Sequence, residues 1–248
     1  MKKSGNTILV TGGGSGIGQA LAQRWHDAGN HVLVTGRRQQ ALNETIAGRE
    51  RMKAYVLDVT DAGAVEAFVK QVVADHPQLN VLVNNAGVYS AENVRAHRDI
   101  ADAEGMIETN LLAPIRMTNA LIDHLSAQPD AAILNVSSGL AFVPYPAAPT
   151  YSATKAALHS YTAAMRPLLK GKVEVIEIVP PQVQTELSAG QSKDPSCMPL
   201  DAYADEVMAL LESQTDATEI LVEGVKFLRF AEVEGRYPET VAAINPAA

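Results

Sequence analysis

Short continuous apolar runs alternate along the chain with longer stretches in which apolar side chains return every third or fourth position. Val81-Leu82-Val83 and Val175-Ile176-Glu177-Ile178-Val179 are nearly unbroken and rich in β-branched residues. That composition suits strands of a parallel sheet covered on both faces. The pattern predicts strands at 7–11, 31–35, 54–58, 80–84, 131–136 and 173–179, with a shorter one near 219–222. It predicts helices at 16–28, 39–47, 61–75, 101–127, 150–170 and 201–213. In the first of these, Ile17, Ala20, Leu21 and Trp25 fall on one face. Such alternation implies an α/β fold, a doubly wound parallel sheet of about seven strands with helices on both faces. No linker, repeat or low-complexity tract interrupts it, so residues 1–248 are expected to form one domain. Residues 186–200 differ: they mix Ser, Gly, Lys and Asp with two prolines just past the sixth strand's carboxyl end, where ligands of open α/β sheets bind.

Composition narrows the partners. The net charge is −8 and no basic block occurs, which argues against nucleic acid and anionic membranes. No segment approaches the length of a membrane span, and Met1 to Asn6 lack the apolar stretch of a signal peptide. Cys197 is the only cysteine, so no internal disulfide can form, and a reducing, cytoplasmic setting is expected. The histidines at 26, 31, 76, 97, 124 and 159 have no ligand spacing, and no metal is expected.

Two segments carry chemistry. The first strand runs into Thr11-Gly12-Gly13-Gly14-Ser15-Gly16-Ile17-Gly18 and then a helix. Glycines let backbone approach a pyrophosphate, and the helix N-terminus offers it free N–H groups. The second segment is Ser138 with Tyr151-Ser152-Ala153-Thr154-Lys155. Four residues apart on a helix, Tyr151 and Lys155 share a face. An ammonium there favours the phenolate and is expected to lower the phenol's pKa toward the range where acid–base catalysis works. Alone, a Tyr-x-x-x-Lys pair is weak evidence and reads as an ordinary solvated helix face.

Together, Thr11-Gly12-x-x-x-Gly16-x-Gly18, Asn84-Asn85-Ala86-Gly87, Asn110, Ser138 and Tyr151-x-x-x-Lys155 resemble the classical short-chain dehydrogenase/reductase family, in its order and near its spacing, from about residue 6 to residue 185. The resemblance implies a Rossmann-type fold and a catalytic tetrad of Asn110, Ser138, Tyr151 and Lys155. Tyr151 would be the general acid in reduction and the base in oxidation. Ser138 would hold the substrate oxygen, Lys155 the nicotinamide ribose, and Asn110 a water in a proton relay. Without the resemblance, Asn110 reads as a buried amide in a long helix.

The same likeness implies cofactor contacts. Thr11, Gly12, Gly14, Ser15, Gly16, Ile17 and Gly18 would form the phosphate loop. Asp58 and Val59 would meet the adenine, and Asn85, Ala86 and Gly87 the adenosine ribose. Pro181, Val183 and Thr185 would lie at the nicotinamide, with Thr185 on its carboxamide. Pro180-Pro181 departs from the family's usual Pro-Gly, and Pro181 removes an N–H and fixes φ. A carboxylate at the end of the second strand would bind a ribose 2′-OH and repel a 2′-phosphate. Gly36 stands there instead, followed by Arg37 and Arg38, which suit a phosphate. NADP(H) is therefore expected over NAD(H), the plain alternative being two solvated arginines opening a helix.

Leu140, Phe142 and Tyr145, with Ser138 and Tyr151, are expected to line an apolar pocket for a small-molecule ketone, aldehyde or alcohol. By resemblance, the segment from 186, within a 186–213 substrate region, would be a flap over that pocket. Helices 101–127 and 150–170 would pair with a partner's to make a homodimer. Residues 223–248 lack the family's glycine-rich C-terminus and read as a divergent tail, which speaks against the common tetramer. The expected activity is NADP(H)-dependent oxidoreduction of a carbonyl or secondary alcohol. A non-catalytic NADP(H)-binding regulator is the alternative from another class, and such proteins typically lose the tyrosine or lysine present here.

Overall fold

Alternate residues of each central strand enter opposite cores, and this organises the chain. Ile8, Val10, Val32, Val34, Val81 and Val83 join one apolar cluster, while Leu9, Leu33, Leu79 and Leu82 join the other. The computed structural model describes residues 1–245. Within them, seven strands form one parallel sheet: β1 (Thr7–Thr11), β2 (His31–Gly36), β3 (Met52–Val56), β4 (Leu79–Asn84), β5 (Ala132–Val136), β6 (Glu174–Val179) and β7 (Glu219–Leu221). Their spatial order is β3-β2-β1-β4-β5-β6-β7. The order reverses between β1 and β4, so a crevice opens beyond their carboxyl ends.

Helices α1 (Gly16–Asp27) and α2 (Gln39–Ile46) cover one face, with α7 (Leu200–Ser213) packed on α1. On the other face lie α3 (Ala62–Asp75), α5 (Ala113–Ser126) and α6 (Pro149–Leu169). Between α3 and α5, α4 (Ala101–Ile107) leads through a π-helical turn, Glu108–Leu112, into α5. The chain ends in α8 (Glu223–Arg229) and α9 (Tyr237–Ile244). No helix among the described residues is long and apolar enough to cross a membrane.

Three elements differ from expectation. Strand β3 spans Met52–Val56, not 54–58, because it pairs from Met52 opposite Val32 to Val56 opposite Gly36, where β2 ends. It is an edge strand with Lys53 exposed beside buried Met52, so its early residues lack an apolar signature. The long helix at 101–127 is broken. Pro114 has no N–H for the carbonyl of Asn110, four residues back, and the ladder lengthens here so that Ala113 N–H reaches the carbonyl of Glu108. The stretch from 223, for which no element was predicted, carries α8 and α9. Tyr237, Val241 and Ile244, at helical spacing on α9, close over Val143, Leu228 and Ala231. Residues 246–248 of the expected 223–248 tail lie outside the described residues.

Candidate active site

The glycine loop after β1 is built so that two strand ends meet without side chains. A Cβ on Gly18 would lie 2.3 Å from Asn85 Nδ2 and 2.5 Å from the Gly12 carbonyl. Gly12 has φ of +66°, and a Cβ there would lie 2.8 Å from Ala86 Cα. Asn85 Nδ2 donates to the carbonyls of Thr11 (2.9 Å) and Gly12 (3.3 Å), tying the loop to β4. Thr11 serves as a strut behind the loop: its hydroxyl donates to the Val83 carbonyl (3.3 Å) and accepts from Asn85 and Ala86 N–H (3.0 and 3.1 Å). It does not line the cleft. Ser15 stands at the start of α1 with its side chain engaged in no cap, so it leaves the N–H groups of the first turn to a ligand.

This loop floors a cleft of about 750 Å³. Gly12, Gly14, Ser15, Gly16, Ile17 and Gly18 line it, as do Arg37, Arg38, Asp58, Val59, Asn85, Ala86, Gly87, Pro181, Val183 and Thr185. Both arginines are exposed, and neither is paired with a carboxylate among the described residues. Asp58 lies two residues past β3, not at its end. One of its oxygens accepts from Thr60 N–H (3.0 Å) and hydroxyl (2.7 Å), which with nearby Arg37 holds the carboxyl below its usual range. An anion cradle, free arginines and a cleft of this size fit a phosphorylated dinucleotide.

At the far end of the cleft, α6 carries Tyr151 and Lys155 inward, 7% and 4% exposed. Pro149 opens that helix, where a missing N–H costs nothing. Burial pushes the Tyr151 phenol up to about 12, against a smaller downward pull from the Ser138 hydroxyl facing it. Burial likewise lowers the Lys155 ammonium to about 8. Lys155 Nζ donates to the Val136 carbonyl (2.9 Å) and lies 5.7 Å from the Tyr151 ring centre. The downward shift of the phenol expected from the neighbouring ammonium does not emerge: desolvation raises the phenol, and the pull against it comes from Ser138. Ser138 sits just past β5, its Oγ accepting from Leu140 N–H (3.1 Å).

Asn110 is fully buried in the π-helical turn. Its Oδ1 accepts from Val88 N–H and its Nδ2 donates to the Val88 carbonyl, both at 2.9 Å, with Thr154 Oγ1 at 3.3 Å. A Cβ on Gly87 would meet Asn110 Oδ1 at 3.4 Å and Lys155 Nζ at 3.8 Å, so these residues converge at one point. Below them Asn84 Nδ2 donates to Asn135 Oδ1 (2.9 Å), and Asn135 Nδ2 to Thr162 (2.8 Å), fixing β4, β5 and α6 together.

The expected pocket wall is corrected in part. Phe142 lies outside the cleft, in edge-to-face contact with His159 (ring centres 4.7 Å apart) and with the Arg229 guanidinium 4.5 Å from its ring centre. Leu140 and Tyr145 pack around Tyr151 with Met106 and Ala148 and do not line the cleft. Helix α8 packs on the start of this loop: a Cβ on Gly139 would lie 2.6 Å from Leu228 and 3.0 Å from Val225. The wall is made instead by Val88, Tyr89 and Thr109, with Gln184, Leu187 and Gln191 from the segment beyond β6. That segment folds back through paired bonds, Gln184 N–H to the Met198 carbonyl and Met198 N–H to the Gln182 carbonyl, both 2.9 Å. Tyr89, two residues after the Asn-Asn-Ala-Gly run, could have been suspected from that position alone.

His159, Glu177 and Glu219 come within 4.8 Å of one another near the sheet edge. Arg229 takes both oxygens of Glu219 (2.6 and 3.1 Å) and Arg166 lies 3.6 Å from Glu177, so this is an ion network with cations of its own.

The pattern described as short chain dehydrogenase matches residues 6–196. The chain is 37% identical over 234 residues to the "Uncharacterized oxidoreductase DltE" of Bacillus subtilis (strain 168), covering 91% of this chain and 92% of that one. It is 34% identical over 186 residues to "Sulfoacetaldehyde reductase 2" of Chromohalobacter salexigens, covering 73% and 74%. In fold it resembles a short chain dehydrogenase from Burkholderia cenocepacia J2315 crystallised in complex with NADP, with a TM-score of 0.82 and 24% identity over 100% of both chains. The chain belongs to the short-chain dehydrogenase family and is an oxidoreductase.

Proposed function

We propose that this protein is an NADP(H)-dependent reductase of a small-molecule carbonyl, with the secondary alcohol as the reverse substrate. One observation carries the reading: a glycine cradle with two unpaired arginines at one end of a cleft, and the Ser138–Tyr151–Lys155 group at the other. Arg37 and Arg38 would hold the 2′-phosphate, the loop from Gly12 to Gly18 the pyrophosphate, Asp58 and Val59 the adenine, and Thr185 the carboxamide. When bound, the nicotinamide supplies or accepts the hydride.

The chain's own residues handle the oxygen and its proton. Ser138 hydrogen-bonds the carbonyl oxygen beside the phenol. Tyr151 gives its hydroxyl proton to that oxygen in reduction. With its pKa near 12, the phenol stays protonated at neutral pH, the form a reduction needs. Lys155 holds the ribose and stabilises the phenolate left behind, and Asn110 positions the water through which the proton is replaced. The segment 186–213 covers the substrate. The chain works as a homodimer through α4, α5 and α6, on which Ile107 and Leu168 are exposed.

A carbonyl screen following NADPH consumption tests the reading, with Tyr151→Phe alongside. The reading expects reduction of at least one small ketone or aldehyde by the wild type. It also expects a rate lower by a factor of about 100 or more in the variant, with NADPH affinity kept. Equal rates in the two proteins would overturn it.

A further inference from the structure

The wall facing Tyr151 is held with more care than a loop needs. Tyr89 lines the cleft with its ring 5.2 Å from that of Tyr151, edge to face at 67°. It sits between two clamps. On one side, Asn110 grips both backbone groups of Val88. On the other, Glu92 docks on the start of α6: its N–H donates to the Ala147 carbonyl (2.8 Å), and its carboxylate accepts from Thr150 N–H (2.7 Å) and hydroxyl (2.8 Å). That carboxylate is 1% exposed and paired at 2.5 Å with Arg98, which also reaches Asp102. A loop fixed at both ends presents Tyr89 in one place, the condition for selecting a substrate without an ordering cost.

The Tyr89 hydroxyl itself has no hydrogen-bond partner among the described residues, although the ring is half-buried. Burial and the neighbouring Tyr145 phenol raise its pKa, so it stays neutral, able both to donate and to accept. The cations lining the cleft among the described residues are Arg37, Arg38 and Lys155. The arginines stand at the glycine-loop end, and Lys155 is buried beside the catalytic phenol. Beyond these the cleft offers the Tyr89 and Thr109 hydroxyls, the Gln191 amide and the Glu186 carboxylate, and no further cation for an anionic head.

Resting on the reductase reading above, we infer that Tyr89 is a specificity-determining residue whose hydroxyl binds a second oxygen next to the reacting carbonyl, which makes neutral hydroxy-carbonyl compounds the favoured substrate class. Ser138 and Tyr151 hold the first oxygen, and Tyr89, in ring contact with Tyr151, holds the second. Glu92 is a positioning residue for Tyr89.

The test compares hydroxyacetone with butanone, which have the same skeleton and differ only in a hydroxyl for a methyl. Wild type and Tyr89→Phe are assayed with NADPH for kcat/KM. Binding of each compound to the enzyme–NADPH complex is followed in parallel by nicotinamide fluorescence. The wild type should favour hydroxyacetone in both readouts, and Tyr89→Phe should lose about fivefold on hydroxyacetone alone, the size of one net hydrogen bond. A preference in binding that disappears in the variant supports the role of Tyr89 even if neither compound is turned over, in which case it is the reductase reading that fails. Equal loss on both compounds, no loss on either, or no wild-type preference in binding would overturn it. So would tighter binding of pyruvate than of hydroxyacetone, which would overturn the neutral class.

Discussion

Tyr151 and Lys155 sit one turn apart on α6 almost out of solvent, and the cost of charging each there acts over a different pH range. The unfolded lysine keeps its proton to about pH 10.5 and the folded one to about pH 8. Between those values the unfolded chain binds more protons, so stability rises with pH. The burial cost of the ammonium is full below about pH 8 and is relieved above it, a swing on the order of 3 kcal/mol. For Tyr151 the folded pKa lies above the unfolded one, and stability falls as pH rises from 10 toward about 12. Melting curves of the wild type and Lys155→Met from pH 7 to 10 should therefore move in the wild type's favour as pH rises. A difference independent of pH would contradict this. In the same terms, alcohol oxidation, which needs the phenolate, should quicken steadily with alkaline pH, while carbonyl reduction should not. At this scale residue types were legible in the sequence and their surroundings were not. The spacing of Tyr151 and Lys155 could be read directly. That burial dominates both shifts depends on their surroundings, for Tyr151 the packing of Ala148, Met106 and Tyr89.

Elements were legible where periodicity was long. The glycine loop, α1 and the buried strands could be placed because unbroken apolar runs and a helical stripe allow few alternatives. The loop's need for glycine can be checked at Gly18. Ala there must displace Asn85 and the Gly12 carbonyl, so Gly18→Ala should lower stability by about 1–3 kcal/mol and weaken NADPH binding. An unchanged melting temperature would show that the loop can yield. The π-helical turn was hidden because Met106, Asn110 and Pro114 keep a helical interval; only the missing N–H of Pro114 marked it. Helices α8 and α9 were missed for another reason. Each is short, and apart from Val225, which joins the main core, their apolar residues pack on the 139–145 loop and on one another. Phe142 illustrates the consequence: read as pocket wall, it is held outside the cleft by Arg229, which also pairs with Glu219. Arg229→Ala should free that loop, lowering the melting temperature by a few degrees, as one part-buried ion pair and its stacking imply.

At the scale of the molecule, the order of strands does most to locate function. The reversal between β1 and β4 sets the glycine loop beside Asn85, and β5 and α6 bring Ser138 and Tyr151 to the same edge. Sequence alternation predicted that architecture, since strands separated by helices leave little choice but right-handed crossovers. It could not supply association. The dimer reading expects sedimentation at twice the chain mass at micromolar concentration and a shift to monomer on Ile107→Glu. A monomeric wild type would refute it. The claim on which the rest depends is that the cleft takes a 2′-phosphorylated dinucleotide through Arg37 and Arg38. Titration with NADPH and NADH, followed by nicotinamide fluorescence in the wild type and in Arg37→Ala, tests it most directly. The account predicts binding of NADPH at least about tenfold tighter than NADH, with the advantage lost in the variant. Equal or tighter binding of NADH by the wild type would contradict it.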